Sequence, residues 1–207
     1  MFTIGEEFTT AITNIFIMLI SLYSFIKLRK ENISTYWKRF FFLLTIDGLL
    51  GFIIHGINLN QNIIDILWLF LLIGFSLTIN NLLFYYLEKV IKVTKKHFII
   101  LTILIYLILF LEAIFKIEFL FTFMAYCIIS LLIVIFINLK YKKNIYILIG
   151  IILQFIGGAF IFDQNFLIKI IFYFDQNGIY HFFMMISCIL FYLGCKKEKE
   201  LLWKYVM

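Results

Sequence analysis

IIDILWLFLLIGFSLTINNLLFYYLEKV, residues 63–90, is the stretch of sequence that decides the fold. Its charges are confined to its ends, with Asp65 at one and Glu88 and Lys89 at the other. A helix needs about 20 apolar residues to cross the hydrocarbon core of a bilayer, and this run exceeds that length. It is continuously apolar, whereas strands of a membrane β-barrel alternate between apolar and polar side chains. The stretch therefore predicts a membrane-spanning α-helix.

Six further apolar runs flank this stretch. Each approaches or exceeds the roughly 17 residues that the shortest membrane-spanning helices use. They cover residues 9–27, 40–57, 98–115, 119–138, 145–162 and 177–194. The sequence therefore predicts an all-α membrane protein, a bundle of seven transmembrane helices joined by short loops.

The composition of the chain agrees with this interpretation. Of its 207 residues, 64% are hydrophobic and 14% are charged, and the mean hydropathy is +1.06. Soluble domains carry about 25% charged residues, so the composition excludes a soluble protein. Seven spans use about 140 residues, which leaves no room for a second folded domain. Residues 1–207 are therefore predicted to form a single domain.

The basic residues are distributed unequally between the two ends of the predicted bundle. Sixteen fall in loops one, three and five and in the carboxyl-terminal tail, against Lys116 and Lys169 at the opposite end. Because lysine and arginine concentrate in cytoplasmic loops, we expect the amino terminus outside and the carboxyl terminus in the cytoplasm. The net charge of +6 predicts attraction to anionic inner-leaflet lipids and gives no reason to expect nucleic-acid binding. We expect a multi-pass protein of a bacterial inner membrane or a plasma membrane.

Asp47 falls near the middle of the second predicted span. A titratable side chain in hydrocarbon is costly, so such a residue is by default a candidate for a functional site. We expect Asp47 to face the interior of the bundle. Its expected partner is a polar group such as Ser76, Asn80 or Asn81 on the third span, or Gln154 on the sixth.

Two histidines and an aspartate lie near the outer ends of three predicted spans. On the second span, Asp47, Gly51 and His55 follow one another at intervals of four residues and share one helix face. Asp65 begins the third span after a short turn and lies at the depth of His55, and His181 lies near the outer end of the last span. If these three helices are neighbours, two imidazoles and a carboxylate converge on one polar cavity.

These residues resemble a superfamily of seven-span membrane hydrolases. The pattern GFIIH from Gly51 to His55, then Asp65, then NGIYHFF from Asn177 to Phe183 is similar to the alkaline ceramidase, adiponectin-receptor and lysoplasmalogenase-type proteins. Those proteins carry Ser-x-x-x-His on the second span, Asp at the start of the third and His-x-x-x-His on the last. The resemblance implies a zinc ion held by histidines and a metal-bound water that attacks a lipid amide or ester.

Transferred position by position, the resemblance implies a role for each candidate residue. His55 and His181 would be metal ligands, and Asp65 would orient or deprotonate the zinc-bound water. Asn177 occupies the site position at which the superfamily has the first histidine of the last span. Because an Asn oxygen is a poor zinc ligand, two histidines with Asp65 or Asp175 form the alternative metal site.

Gly51 is a second departure, since the superfamily has a serine at this position. Glycine has no hydroxyl group that could polarise the substrate or the water. Either the chemistry has moved to other residues or the site is inactive. A polar lipid-binding pocket without metal and histidines that merely pack remain open alternatives. Three functions follow: a zinc-dependent hydrolase of a membrane lipid, a non-catalytic lipid-binding or accessory protein, and, less favoured, a small transporter. The protein partner is unknown.

The segment before the last span contains a short repeat. Asp163-Gln164-Asn165 recurs twelve residues later as Asp175-Gln176-Asn177. Residues 166–174, which lie between the two copies, are predicted to form an interfacial helix or a short re-entrant turn.

Overall fold

A computed structural model describes residues 7–88, 90, 93–115, 119–142, 144–161, 167–169 and 173–206. Seven α-helices occupy most of these residues. They are α1 (Glu7–Arg29), α2 (Thr35–Gly56), α3 (Gln61–Leu87), α4 (Lys95–Phe115), α5 (Phe119–Ile137), α6 (Ile145–Phe160) and α7 (Gln176–Val206). A π-helical turn, Asn138–Lys142, continues α5, and two strands, β1 (Leu167–Lys169) and β2 (Tyr173–Asp175), precede α7. Of the basic residues that carry the predicted orientation, Lys89, Lys92, Lys116 and Lys143 lie outside the described residues.

Within the described ranges, five helices are long and apolar enough to cross a membrane. They are α1, α2, α3, α5 together with its π-helical turn, and α7. The apolar stretches of α4 and α6 are shorter, Lys96–Ile108 and Ile145–Phe160. Large apolar side chains on the outer faces are exposed, such as Ile103 at 58% and Phe136 at 63%. An apolar outer surface of this kind agrees with a helical membrane protein, because hydrocarbon and not water is its favourable surrounding.

The helices run alternately between two ends of the bundle. We call the end with the start of α1, the turn between α2 and α3 and the start of α7 the histidine end, and the opposite end the basic end. α1 packs against both α2 and α7, α2 packs against α3, and α6 packs against α7. The contact of α1 with α2 is close because Gly48 lacks a side chain: a Cβ there would lie 2.8 Å from the backbone nitrogen of Met18.

Aromatic side chains fill the core toward the basic end. The ring of Trp37 on α2 lies 5.3 Å from that of Tyr85 on α3, measured between centroids. Phe40 on α2 meets Phe191 on α7 edge to face at 5.5 Å. Aromatic pairs of this geometry stabilise a protein by about 0.5–1.5 kcal/mol beyond their buried area. They hold α2, α3 and α7 together at the basic end.

α7 continues beyond residue 194, where the sequence places the end of the last span. Its Glu198 is buried, at 2% exposure, and accepts hydrogen bonds from the hydroxyls of Tyr85 and Tyr86 on α3. Nδ2 of Asn144, at the start of α6, donates to Glu198 across 3.3 Å. We call Tyr85, Tyr86, Asn144 and Glu198 the Glu198 junction. The helix extends because this polar residue finds its partners inside the protein.

The segment before α7 differs from the prediction. β1 and β2 pair in antiparallel fashion, with Leu167 opposite Asp175 and Lys169 opposite Tyr173. Oγ1 of Thr9 on α1 donates a hydrogen bond of 2.7 Å to the carbonyl oxygen of Tyr173. The predicted interfacial helix is wrong for the described residues of this segment, because their backbone pairs between two strands and with α1. The predicted re-entrant turn stays a prediction, since residues 170–172 lie outside the described residues. The first copy of the repeat, residues 163–165, lies outside the described residues.

Candidate functional site

A cavity of about 660 Å³ lies inside the bundle toward the histidine end. Side chains of α1, α2, α3, α5, α6 and α7 line it, and most of them are apolar. Small-molecule pockets have volumes of about 300–1,000 Å³, so this cavity has room for a lipid chain or a small amphiphile. Four of its polar lining residues lie together at the histidine end. We call Asn14, His55, Asn177 and His181 the histidine cluster.

His55 of α2 and His181 of α7 meet across this cavity. Their ring centroids are 6.1 Å apart and their planes are inclined by 69°. His55 also makes an edge-to-face contact of 5.6 Å with Trp68 of α3. The sequence places the two imidazoles at one membrane depth, and α1, which packs against both α2 and α7, brings them together.

Asn14 of α1 is a site residue that the sequence analysis missed. Its Nδ2 donates to the carbonyl oxygen of Thr10 across 3.0 Å, which fixes the orientation of the amide. The same Nδ2 lies 3.2 Å from Nδ1 of His181. The contact links α1 to α7, and the roles of the two nitrogens as donor and acceptor depend on the tautomer of the imidazole.

The position of Asn14 explains the glycine at residue 51. A Cβ on Gly51 would overlap the carboxamide of Asn14, at 2.7 Å from its Cγ and 2.9 Å from its Nδ2. The serine of the resembled superfamily therefore has no space here unless Asn14 moves.

Asp175 is placed as the N-cap of α7. Its Oδ1 accepts a hydrogen bond from the backbone nitrogen of Gly178 at 2.7 Å and another from Oγ1 of Thr10 at 2.8 Å. A carboxylate at this position satisfies a free backbone N–H and interacts favourably with the helix dipole. The Asp175 carboxylate, a candidate metal ligand in the sequence, thus ties the start of α7 to α1.

Asn177 and Asp65, the remaining site residues predicted from the sequence, lie in different surroundings. Asn177, in the first turn of α7, lines the cavity with both histidines. Asp65 is exposed, and its Oδ1 accepts a hydrogen bond of 2.8 Å from Nε2 of Gln61 on the same helix. Asp65 does not belong to the lining of the cavity. The structure therefore brings Asn177, His55 and His181 together but does not add Asp65.

The described residues hold no group of three His, Cys, Asp or Glu that matches the zinc site implied by the resemblance. Among them, no three His, Cys, Asp or Glu side chains are close enough to hold one metal ion. A histidine that binds zinc through one ring nitrogen donates its other N–H to an acceptor. At His181 the neighbour of Nδ1 is the side-chain amide of Asn14, whose Nδ2 lies 3.2 Å away. Zinc coordination by His55, His181 and Asp175 stays a prediction.

Asp47 lies in the same cavity, deeper than the histidine cluster. It is 5% exposed, as expected for an interior residue, but its partner differs from those proposed from the sequence. Its Oδ2 accepts a hydrogen bond of 3.2 Å from Oγ1 of Thr78 on α3. Thr78 lies on the expected helix, in the turn that also contains Ser76.

A periodic pattern on the first helix gives the signal that the sequence analysis overlooked. Thr10, Asn14, Ser21 and Ser24 are all buried, and they recur at helical spacing within an otherwise apolar span. Such a stripe marks the helix face that contacts the rest of the protein and not the lipid. It identifies α1 as a helix that carries part of the site.

The described residues form a helical bundle around a ligand-sized cavity, and five of its helices are long and apolar enough to cross a membrane, which agrees with a membrane protein. The chain belongs to the family of unknown function DUF6962, which matches residues 9–200. No curated protein and no solved structure matches the chain.

Proposed function

We propose that this protein binds a lipid-like small molecule in its internal cavity. The apolar part of the ligand lies against the apolar lining, and the histidine cluster hydrogen-bonds a polar group at one end. The observation that carries the proposal is the cavity of about 660 Å³ that polar residues line at the histidine end. The ring of His181 offers its Nε2 edge to the ligand, since Asn14 contacts its Nδ1.

The proposal includes the arrangement in the membrane. The chain crosses a cell membrane seven times, with the amino terminus and the histidine end outside and the carboxyl terminus in the cytoplasm. Its support is the excess of lysine and arginine in the loops and tail of the basic end. Anionic lipids of the inner leaflet neutralise these charges.

Gly158 of α6 provides a direct test of the cavity. It lines the cavity, and a Cβ added there would meet no atom within 4 Å. Gly158→Leu therefore adds a large side chain at a lining position where its Cβ meets no neighbour. Radiolabelled dodecanol is equilibrated with the protein in phosphatidylcholine nanodiscs, and empty nanodiscs give the background. We expect saturable binding to the unmodified protein and a loss of affinity of at least ~5-fold in Gly158→Leu.

Ile156→Leu is the matched control on the same helix. Ile156 is 43% exposed on the outer surface and does not line the cavity, so this substitution leaves dodecanol binding unchanged. If Gly158→Leu binds dodecanol as well as the unmodified protein does, the cavity is not the binding site and the proposal fails.

A metal-dependent hydrolase of a lipid amide or ester is the second candidate. The meeting of His55, Asn177 and His181 in one cavity favours it. Asn177→His supplies the third histidine of the resembled superfamily. Stoichiometric zinc in the purified unmodified protein, measured by elemental mass spectrometry, with tighter zinc binding in Asn177→His, would support this candidate. No zinc in either protein would remove it and leave the ligand-binding proposal standing.

A further inference from the structure

Asp47 forms a second polar region of the cavity lining, separate from the histidine cluster. It precedes His55 by eight residues on α2, which corresponds to about 12 Å along the helix axis. Both residues line the same cavity. A ligand in the cavity therefore meets one polar group at the histidine end and a carboxyl group deeper in the protein.

The hydrogen bonds of Asp47 are incomplete. Oγ1 of Thr78 lies 3.2 Å from Oδ2 of Asp47 and 3.0 Å from the carbonyl oxygen of Gly74, so its single hydrogen serves two acceptors. Oδ1 is buried and, within the described residues, has no hydrogen-bond partner. It occupies the space over Gly74, where a Cβ would overlap it. The bundle thus holds a carboxyl oxygen whose bonding capacity the described residues do not satisfy.

The carboxyl group of Asp47 also lacks a counter-ion. No Lys, Arg or His side chain in the described part of the chain forms an ion pair with it. Ionisation of a buried carboxyl group that has no counter-ion is unfavourable, and such residues inside membrane proteins usually pair with one another or with a ligand. A cationic group that enters the cavity would remove this cost.

The aromatic walls of the cavity suit an organic cation. Five aromatic residues line the cavity: Trp68, Phe75, Phe123, Phe155 and Tyr180. Aromatic rings attract cations electrostatically and bind apolar surface at the same time. A small metal ion would use neither the apolar walls nor the volume of about 660 Å³.

We propose that the ligand of this cavity is an amphiphile with a cationic ammonium group, which pairs with Asp47 while its apolar body lies against the aromatic walls. This inference rests on the proposed function and specifies the chemical class of the ligand. The charge of the ligand is placed inside the bundle, and its uncharged polar end, where it has one, meets the histidine cluster.

Two probes with the same chain and different heads test this inference. Dodecylamine is cationic at neutral pH and dodecanol is uncharged, so their affinities for the protein in phosphatidylcholine nanodiscs isolate the contribution of the charge. We expect the unmodified protein to bind the amine at least ~10-fold more tightly than the alcohol, after subtraction of empty nanodiscs. Asp47→Asn preserves the shape of the side chain and is expected to bring this ratio to about 1.

Asp65→Asn is the matched control, since it removes a carboxylate that is exposed outside the cavity lining, and it leaves the ratio unchanged. Equal binding of the two probes to the unmodified protein overturns the inference and leaves the proposed function intact. A preference for the amine that persists in Asp47→Asn also overturns it. If the unmodified protein binds neither dodecylamine nor dodecanol, the proposed function is overturned as well. If Asp47→Asn does not fold, the ratio of the two affinities in the unmodified protein still tests the inference.

Discussion

At the scale of single residues, the contact between Asn14 and Gly51 determines the shape of the histidine cluster. Gly51→Ser restores the residue of the resembled superfamily but forces a side chain into the space of the Asn14 carboxamide. We expect the free energy of unfolding to fall by about 1–3 kcal/mol, as for other overpacked interior sites. Unfolding of the detergent-solubilised protein, followed by circular dichroism, measures this change.

Two further variants make this prediction specific. Gly158→Ser adds the same side chain where no atom lies within 4 Å of the new Cβ, so we expect a change within about 0.5 kcal/mol. Asn14→Ala removes the carboxamide that a side chain at residue 51 would overlap. The double variant of Gly51→Ser and Asn14→Ala should therefore lose at least ~0.5 kcal/mol less stability than the sum of the losses of the two single variants. Equal losses at residues 51 and 158, or strict additivity with Asn14→Ala, would contradict this account.

The site was only partly predictable at this scale. His55 and His181 could be selected because titratable residues are rare in apolar spans. The role of Asn14 depends on which helix packs beside α2 and α7, and that is a tertiary property. The same holds for Asp175: its carboxyl type suggests a metal ligand, whereas its position at the first residue before α7 makes it a cap.

At the scale of elements, Asp175 stabilises the start of α7 through its bond to Gly178 and joins it to α1 through Thr10. Asp175→Ala removes Oδ1, the acceptor of both hydrogen bonds, and we expect a loss of about 1–2 kcal/mol in the free energy of unfolding. Asp175→Asn keeps an oxygen in the same place and is expected to lose less than about 0.5 kcal/mol. The same unfolding measurement is made on both variants. If Asp175→Ala and Asp175→Asn destabilise the protein equally, the hydrogen bonds of the cap do not stabilise the start of α7.

The Glu198 junction is the corresponding prediction at the basic end. Glu198→Ala leaves the buried hydroxyls of Tyr85 and Tyr86 without this acceptor. Buried polar groups that lose a partner cost about 1–3 kcal/mol each, so we expect a fall of at least ~2 kcal/mol in the free energy of unfolding. Lys197→Ala, one residue away on α7, is the control and should change it by less than about 1 kcal/mol. A small effect of Glu198→Ala would mean that the junction does not hold α3 and α7 together.

The helices themselves were predictable because the length of an apolar run is a local property. Residues 63–90 and α3 (Gln61–Leu87) differ by two or three residues at each end. The hairpin and the extension of α7 were not predictable in this way. Both depend on distant partners, namely α1 for β2 and α3 with α6 for Glu198.

At the scale of the whole molecule, the cavity follows from the packing of the helices. Aromatic rings join α2, α3 and α7 at the basic end, while the cavity lies toward the histidine end. α1 fits between α2 and α7, and its packed face carries the buried polar side chains of Asn14, Ser21 and Ser24. The bundle is thereby closed at one end and holds a ligand-sized space near the other.

The orientation of the molecule in the membrane is the last prediction, and the charge distribution determines its direction. Single cysteines are introduced at Asn58, which is exposed at the histidine end, and at Lys30, which is exposed at the basic end. The native cysteines are first replaced by alanine so that they give no background; they are Cys127, Cys188 and Cys195, all buried. In intact cells, a membrane-impermeant maleimide should label the cysteine at residue 58 and not the one at residue 30, and permeabilised cells should show labelling at both. Labelling at residue 30 alone would reverse the orientation and place the histidine end, with its cavity, on the cytoplasmic side. The ligand would then be drawn from the cytoplasmic side of the membrane.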